Sequence, residues 1–142
     1  MDRFAIIGLG RFGQRLARML SEAGAEVIAI DRSQEIVEAI RDEVTVAVAL
    51  DATDERALLS QGVDKVDVAV VGIGTDFEAA VLATVILKQL GVPKVVARAA
   101  TTNRGEILRR VGADDLVNPE RESAYRWAHR LMGPNVFSRS NK

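Results

Sequence analysis

Short apolar blocks alternate along the chain with longer segments in which apolar residues recur at the spacing of one helical face. The apolar blocks, rich in Val, Ile and Ala, predict strands at 3–8, 26–31, 45–50, 67–72, 94–99 and 115–118. The segments between them predict helices at 11–23, 33–42, 54–61, 76–90, 103–111 and 119–132. Blocks such as 68–71 are apolar at every position, as expected where helices cover both faces of a sheet. The pattern therefore predicts a parallel sheet.

Residues at the predicted helix ends support these boundaries. Thr75 with Glu78 predicts a capping box for the fourth helix, and Asn118 with Pro119 predicts the start of the sixth. Five glycines directly follow predicted helices, where a left-handed residue ends the helix: Gly24, Gly62, Gly91, Gly112 and Gly133. Because crossovers between parallel strands are right-handed, we predict an α/β fold, a Rossmann-like doubly wound sheet of six strands in the order 3-2-1-4-5-6.

Composition narrows the class of protein. The chain has 142 residues, enough for one domain with a substantial core. It has no cysteine, which excludes disulfides, thiolate metal sites and a cysteine nucleophile. With 19 Lys plus Arg against 20 Asp plus Glu, no overall field attracts nucleic acid or an anionic membrane. The chain starts without a signal-type segment, and its longest apolar stretch, 79–90, is shorter than the ~20 residues of a membrane span. We therefore expect a soluble protein with no nucleic-acid partner and no direct membrane insertion.

A glycine-rich motif follows the first predicted strand and opens the first predicted helix. Residues 8–13 read GLGRFG, the G-x-G-x-x-G pattern of dinucleotide-binding loops. Gly8 allows a tight turn, Gly10 lets a pyrophosphate approach the backbone, and Gly13 lets the helix pack closely on the strand. The amides at the helix start favour an anion, and Arg11 can lie over a diphosphate. The alternatives are an ordinary strand-to-helix turn and a solvated arginine.

An acidic residue after the glycine-rich motif completes the sequence pattern of a dinucleotide-binding site. Asp31 ends the second predicted strand, 18 residues after Gly13, where a carboxylate can accept hydrogen bonds from both ribose hydroxyls. Arg32 can meet a 2′-phosphate, but Asp31 would repel that group, so the pair favours unphosphorylated NAD or an adenine nucleotide. The alternative for Asp31 is a helix-entry residue before Ser33.

Two further segments follow strands at the same edge of the predicted sheet, where ligands of open parallel sheets lie. They are Asp51, Ala52 and Thr53 after the third strand, and Gly72, Ile73 and Gly74 after the fourth. The first segment can border an adenine, whereas Thr53 can instead be the N-cap of the third helix. The two glycines of the second segment allow a close approach of the backbone to a ligand, and the alternative is a flexible strand exit.

Catalytic machinery is not visible in the sequence. A dehydrogenase needs a proton donor or acceptor beside the nicotinamide and a domain that holds the substrate. Tyr125 is followed four residues later by His129, the only histidine, where a short-chain dehydrogenase has lysine. Motifs for NTP hydrolysis and acyl transfer are also lacking. We therefore predict no catalytic residues, no metal ligands and a sensor rather than an enzyme.

The motifs together resemble the N-terminal lobe of the regulator-of-potassium-conductance family, the TrkA/KtrA-type subunits that control bacterial potassium transporters and channels. The resemblance covers nearly the whole chain. It rests on GLGRFG, on Asp31, on DATDE at 51–55, on VGIG at 71–74 and on VGADDLVNPE at 111–120, which is the least generic of them.

The resemblance implies a cytoplasmic nucleotide-sensing regulator, peripheral to the inner face of the membrane through a potassium-translocating subunit. It also implies NAD(H), ATP or ADP as ligand, and a homodimer, with an octameric ring as the larger assembly. Arg98 and Glu120 match charged positions near a terminal phosphate or a cation at the dimer interface, the alternative being surface charges. The other residues carried over are Gly8, Gly10, Arg11, Phe12 and Gly13 for phosphates, Asp31 for ribose, and 51–53 with 72–74 for adenosine.

The resemblance implies that the chain has three parts. These are a nucleotide-binding domain at 1–118, a crossover and dimerisation helix at 119–133, and a tail at 134–142. The tail is expected to begin a linker to an absent C-terminal lobe. The last helix carries an apolar stripe of Ala124, Trp127, Ala128, Leu131 and Met132. The alternative is that this stripe covers the helix's own sheet.

Two other functions remain open at this point. The chain can be the cofactor-binding half of an NAD-dependent oxidoreductase, or the regulatory lobe of a cation antiporter. Both share the glycine-rich motif and the acidic residue.

Overall fold

A computed structural model describes residues 2–133, which form a single six-stranded parallel sheet flanked by helices. The predicted tail at 134–142 lies outside the described residues. The strand order is β3-β2-β1-β4-β5-β6, which confirms the predicted order. The strands are β1 Arg3–Ile7, β2 Glu26–Asp31, β3 Val46–Ala49, β4 Val68–Val71, β5 Lys94–Arg98 and β6 Asp115–Val117.

Six α-helices alternate with these strands. Both ends of each helix lie within two residues of the predicted bounds. The second helix is shorter than predicted because residues Arg41–Glu43 form a 3-10 turn, and a second such turn covers Val63–Lys65. The helices are α1 Arg11–Glu22, α2 Gln34–Ile40, α3 Glu55–Ser60, α4 Phe77–Gln89, α5 Thr102–Arg110 and α6 Pro119–Met132. The five glycines predicted to end helices all have positive φ.

The structure corrects two predicted caps. The capping box of Thr75 and Glu78 is wrong: α4 begins one residue later than expected, and the Asp76 carboxylate accepts from Ala79 N–H at 3.0 Å. Thr53 does not cap α3, because the carboxylate of Asp54 takes that position. In both places an aspartate lies one residue closer to the helix than the predicted threonine. The positive end of the helix dipole also stabilises its carboxylate. The predicted cap at Asn118 is confirmed, with its side chain accepting from Arg121 N–H at 3.0 Å.

Both faces of the sheet are buried. One face packs on α1 and α2 through residues such as Ala17, Val37 and Ile40. The other face packs on α3, α4 and α5 through residues such as Leu58 and Leu87. This two-sided burial explains why the strand blocks are apolar without alternation.

The glycine-rich loop leaves no room for a side chain at its first and third glycines. Gly8 has φ +94°, and a Cβ built on it would lie 2.8 Å from the nitrogen of Ile73. A Cβ on Gly13 would lie 2.0 Å from the carbonyl oxygen of Gly8. The start of α1 therefore rests directly on the turn that follows β1, as the sequence predicts for the first and third glycines of the motif.

The least generic motif, 111–120, joins the second half of the sheet to its helices. The carboxylate of Asp114 accepts from Val95 N–H at 2.7 Å and from the Lys88 ammonium at 2.9 Å. The hydrogen bond from Lys88, followed by that from Val95, holds the pKa of Asp114 below its ordinary value. Gly112 has φ +121° and lies against the Lys88 side chain. The first part of this motif thus ties α4 and α5 to β5.

The last helix, α6, contains no buried residue. Trp127 is 54% exposed and Leu131 is 77% exposed, so the apolar stripe is not covered by the described part of the chain. The interpretation that the stripe covers its own sheet is therefore wrong. Within residues 2–133, no helix combines the length and apolar character that crossing a membrane requires.

Candidate functional site

A cavity of about 450 Å³ opens at the carboxyl ends of the central strands. The turn after β1 and the segment after β4 border it from the middle of the sheet, and residues after β2 and β3 border it from one side. In an open parallel sheet this is the point where the crossover connections diverge to the two faces, which leaves a crevice for a ligand.

The first helix directs its N-terminus at this cavity without a side-chain cap. Gly10 is the N-cap of α1 and supplies no side chain, and the first turn of α1 carries no acidic residue. In each of the five other α-helices, the side chain of Ser33, Asp54, Asp76, Thr101 or Asn118 accepts from the first turn. The amides that begin a helix lack intrahelical acceptors and attract anions, so this uncapped end suits a phosphate group.

Gly10 has open space at its Cβ position, whereas the other two glycines of the motif do not. A Cβ built on Gly10 meets no atom within 4 Å, and its backbone has φ −72°. The residue is therefore not required for packing or for an unusual backbone conformation. Its lack of a side chain keeps the floor of the cavity open.

The carboxylate of Asp31 joins the glycine-rich loop to the start of α2. One oxygen accepts from Leu9 N–H at 2.7 Å, and the other accepts from Ser33 N–H at 2.9 Å. A carboxylate offers about four acceptor positions, so two remain for other donors. Asp31 lines the cavity, where vicinal hydroxyls of a sugar can use those positions. The helix-entry role and a ligand-binding role are therefore compatible.

Charges in the cavity are arranged unevenly. The carboxylates of Asp31, Asp51 and Asp76 line it together with the guanidinium groups of Arg32 and Arg98. The Thr53 hydroxyl, followed by the Thr53 N–H, hydrogen bonds to Asp51 and holds the pKa of that carboxyl below its ordinary value. Arg32 lies 3.8 Å from Asp76 across the opening. The end of the cavity near β2 and β3 is thus acidic, which suits hydroxyl groups and disfavours an additional phosphate.

At the opposite end, Arg98 and Glu120 form an ion pair. Nη2 of Arg98 donates to Oε2 of Glu120 at 2.6 Å. The Arg98 side chain is 22% exposed and that of Glu120 is 74% exposed. The sequence suggests both residues as candidates but does not indicate that they bind each other, because they are separated by 22 positions and meet only through the packing of β5 beside β6.

Most of the predicted site residues come together in the cavity. Four predicted residues do not line the cavity: Arg11 is exposed, Gly13 is buried, Phe12 packs against the core, and Glu120 binds Arg98. Those that line the cavity are Gly8, Gly10, Asp31, Arg32, Asp51, Ala52, Thr53, Gly72, Ile73, Gly74 and Arg98. The sequence interpretation missed eight other lining residues, which are Ile7, Leu9, Ile30, Ile36, Leu50, Thr75, Asp76 and Ala79. The available signal was that Leu50 directly follows β3 and that Thr75 and Asp76 lie in the connection between β4 and α4.

Comparison with known proteins identifies the family. The TrkA-N domain family model matches residues 4–119. The chain belongs to the TrkA-N family. This domain is 41% identical over 134 residues to the Ktr system potassium uptake protein C of Bacillus subtilis, covering 94% of this chain and 61% of that protein. It is 36% identical over 136 residues to the Ktr system potassium uptake protein A of the same organism, covering 96% of this chain and 61% of that one. The TrkA-N domain thus spans about three fifths of the length of these relatives.

Solved structures share the fold of this TrkA-N domain. The NAD(P)-binding domain of an exopolyphosphatase-related protein from Archaeoglobus fulgidus superposes with a TM-score of 0.80 at 25% identity, covering 92% of this chain and 98% of that one. The GsuK channel bound to NAD gives a TM-score of 0.77 at 27% identity, covering 92% and 23%. GsuK bound to ADP gives 0.75 at 27% identity, covering 92% and 34%.

Proposed function

We propose that this TrkA-N domain binds an adenine nucleotide, either NAD(H) or ATP/ADP, and regulates a membrane protein that translocates potassium. The domain acts by ligand-dependent conformational change and carries out no reaction. It works on the cytoplasmic side of the membrane, to which its partner attaches it.

One observation carries the proposal. The only α-helix in residues 2–133 whose N-terminus has no side-chain cap opens onto a cavity that is also lined by Asp31. A diphosphate fits the free amides of α1, and the adjoining ribose fits the two open acceptor positions of Asp31. The guanidinium groups of Arg32 and Arg98 also line the cavity, so an anion meets positive side chains there as well as the free amides.

The comparisons support the regulatory half of the proposal. Two similar proteins are potassium uptake proteins, and GsuK has been solved with NAD and with ADP. These likenesses favour a regulator over the cofactor-binding half of an oxidoreductase. A ligand shifts a conformational equilibrium only by its difference in affinity for the two states, and a shift from 1:99 to 99:1 needs about 5.5 kcal/mol.

Gly10→Ala is expected to weaken nucleotide binding without unfolding the domain. The added methyl group meets no protein atom but occupies the space beside the α1 amides where the phosphates are proposed to lie. We expect the affinity for ADP and NADH to fall by at least about tenfold, or 1.4 kcal/mol. A ligand at one hundred times its Kd stabilises the native state by about 2.7 kcal/mol, so thermal shift across ATP, ADP, AMP, NAD and NADH measures the loss.

Gly24→Ala serves as the control for the added methyl group. Gly24 also has open space around its Cβ position, but it lies at the end of α1 that faces away from the cavity. Its φ of +94° makes this variant less stable, yet the nucleotide-induced rise in Tm should persist. Full retention of that rise in Gly10→Ala would place the phosphates elsewhere.

We also propose that the exposed stripe of α6 pairs two copies of the chain. The stripe exposes Trp127, Leu131 and Met132, and the Arg130 guanidinium lies 5.0 Å from the centre of the Trp127 ring. Aromatic and arginine side chains are typical anchors of protein interfaces. A homodimer through α6, and an octameric ring built from such dimers, would cover this apolar surface.

Trp127→Ala is therefore expected to weaken self-association by about 2 kcal/mol, the loss typical of a buried interface anchor. Sedimentation velocity over a concentration series measures the change. Leu59→Ala is the control, since Leu59 is 42% exposed on α3, outside the stripe. A dimer that dissociates equally in both variants, or not at all in Trp127→Ala, would contradict the role of α6.

A further inference from the structure

Leu9, in the glycine-rich loop, has both of its backbone polar groups bound by side chains. Its N–H donates to the Asp31 carboxylate at 2.7 Å. Its carbonyl oxygen accepts from the side-chain amide of Gln14 at 2.8 Å. Asp31 ends β2 and Gln14 lies in the first turn of α1, so two different elements fix the orientation of the Leu9 backbone.

The direction of the Leu9 carbonyl determines the direction of the next N–H. In a trans peptide the C=O group and the N–H group that follows it point in opposite directions, and the described residues contain no cis peptide bond. The Leu9 oxygen points to Gln14, which does not line the cavity, so the Gly10 N–H points the other way. Gly10 does line the cavity, and its N–H donates to no acceptor among residues 2–133. This N–H is therefore available to a ligand.

Glycine at position 10 makes this orientation easy to lose. Rotation of the Leu9–Gly10 peptide by about half a turn changes the φ of Gly10, and glycine adopts positive φ about as readily as negative φ. The flipped peptide would place the carbonyl oxygen of Leu9, which carries a partial negative charge, where the N–H now points. An anion that the N–H attracts would then be repelled. The hydrogen bonds of Leu9 are what hold the peptide in the favourable orientation.

Gln14 forms two hydrogen bonds with the loop, and only one of them depends on its side chain. Its backbone N–H donates to the Gly10 carbonyl oxygen at 2.9 Å, as that of any residue except proline can. The half-buried side chain supplies the additional donor to Leu9. Gln14 directly follows the third glycine, so the G-x-G-x-x-G pattern does not specify this contact.

We propose that Gln14 is a positioning residue for the phosphate-binding loop: its side chain prevents the Leu9–Gly10 peptide from flipping and keeps the Gly10 N–H directed at the phosphates of the nucleotide. The inference rests on the proposed function. Gln14 acts through the Leu9 carbonyl and does not itself contact the ligand. Its effect is therefore confined to ligands that carry phosphates, and adenosine, which carries none, binds independently of it.

Gln14→Met removes the donor while it keeps the length and the helix propensity of the side chain. We expect the affinity for ADP to fall about three- to tenfold, the fold-change that corresponds to one neutral hydrogen bond. The affinity for adenosine should not change. Amide NMR titrations with ADP and with adenosine measure both affinities, including the weaker one. Thermal unfolding without ligand reports any loss of stability separately.

Gln89→Met is the matched control. It makes the same substitution at an exposed position in the last turn of α4, which does not line the cavity. It should leave both affinities unchanged.

A second measurement uses the wild-type chain and needs no variant. The amide proton resonance of Gly10 should move downfield when ADP is added, because a hydrogen bond to a phosphate oxygen deshields the proton. Adenosine should move it much less.

The outcomes separate this inference from the proposed function. If Gln14→Met lowers the affinities for ADP and adenosine equally, or leaves the affinity for ADP unchanged, the positioning role is overturned while nucleotide binding stands. A Gly10 resonance that does not respond to ADP binding also overturns it. If the wild-type chain does not bind ADP at all, the proposed function fails and the positioning role fails with it.

Discussion

Gly13→Ala is expected to destabilise the domain by about 3 kcal/mol or more, the upper part of the range for overpacked interiors. The new methyl group would lie 2.0 Å from the carbonyl oxygen of Gly8, which belongs to the backbone and cannot rotate away. Gly8 itself is fixed, because its N–H donates to the carbonyl oxygen of Ile30 at 2.8 Å and a Cβ at its position would lie 2.8 Å from the nitrogen of Ile73. Urea denaturation followed by circular dichroism measures the loss.

Gly10→Ala is the control for this stability measurement, since it adds the same methyl group three residues earlier in the same motif. Gly10 has open space and an ordinary φ, and the change removes only the mild preference for glycine over alanine at an N-cap. Its free energy of unfolding should fall by less than about 1 kcal/mol. Equal stability of the two variants would contradict the close packing of α1 on the turn after β1.

Asp31→Ala is expected to weaken the binding of ADP by about 1 to 3 kcal/mol, because hydrogen bonds between a carboxylate and the ribose are lost. That range corresponds to roughly five- to 150-fold in Kd. The variant also leaves Leu9 N–H and Ser33 N–H without their acceptor, so the loop that forms the floor of the cavity is less well held. Titration calorimetry with ADP measures the affinity, and thermal unfolding reports the loss of stability separately.

Asp67→Ala separates the two effects. Asp67 also accepts a hydrogen bond from a backbone N–H, that of Arg3 at 2.9 Å, but it lies before β4, at the end of the sheet opposite the cavity. This variant should lose stability and keep its affinity for ADP. If Asp31→Ala also keeps its affinity, the ribose is not bound by Asp31.

The sequence predicted the sheet and its order because the signals for them are local. Each strand is a continuous apolar block, each crossover is right-handed, and glycines such as Gly91 and Gly112 mark helix ends by a backbone conformation that other residues avoid. The prediction that the residues after β1, β2, β3 and β4 meet follows from the parallel order alone, since their carboxyl ends lie at one edge.

Features that depend on side-chain geometry were not predictable in the same way. Thr75 and Asp76 are both suitable caps, and only the structure shows which of them precedes the first turn of α4. Likewise, the sequence motif places Arg11 and Phe12 within a phosphate-binding loop, but the helix that starts there turns their side chains away from the cavity. The pairing of Arg98 with Glu120 depends on the distance between two elements and has no local signature.

The helix α6 has no buried residue, so a change in its orientation should have little effect on the free energy of unfolding of the rest of the domain. Reorienting it would withdraw none of its own side chains from the two hydrophobic cores, because neither core contains a residue of α6. The candidate cavity can therefore keep its shape when the orientation of α6 changes. The ion pair between Arg98 and Glu120 joins the first turn of α6 to the end of β5, so this pair would have to adapt to any such movement.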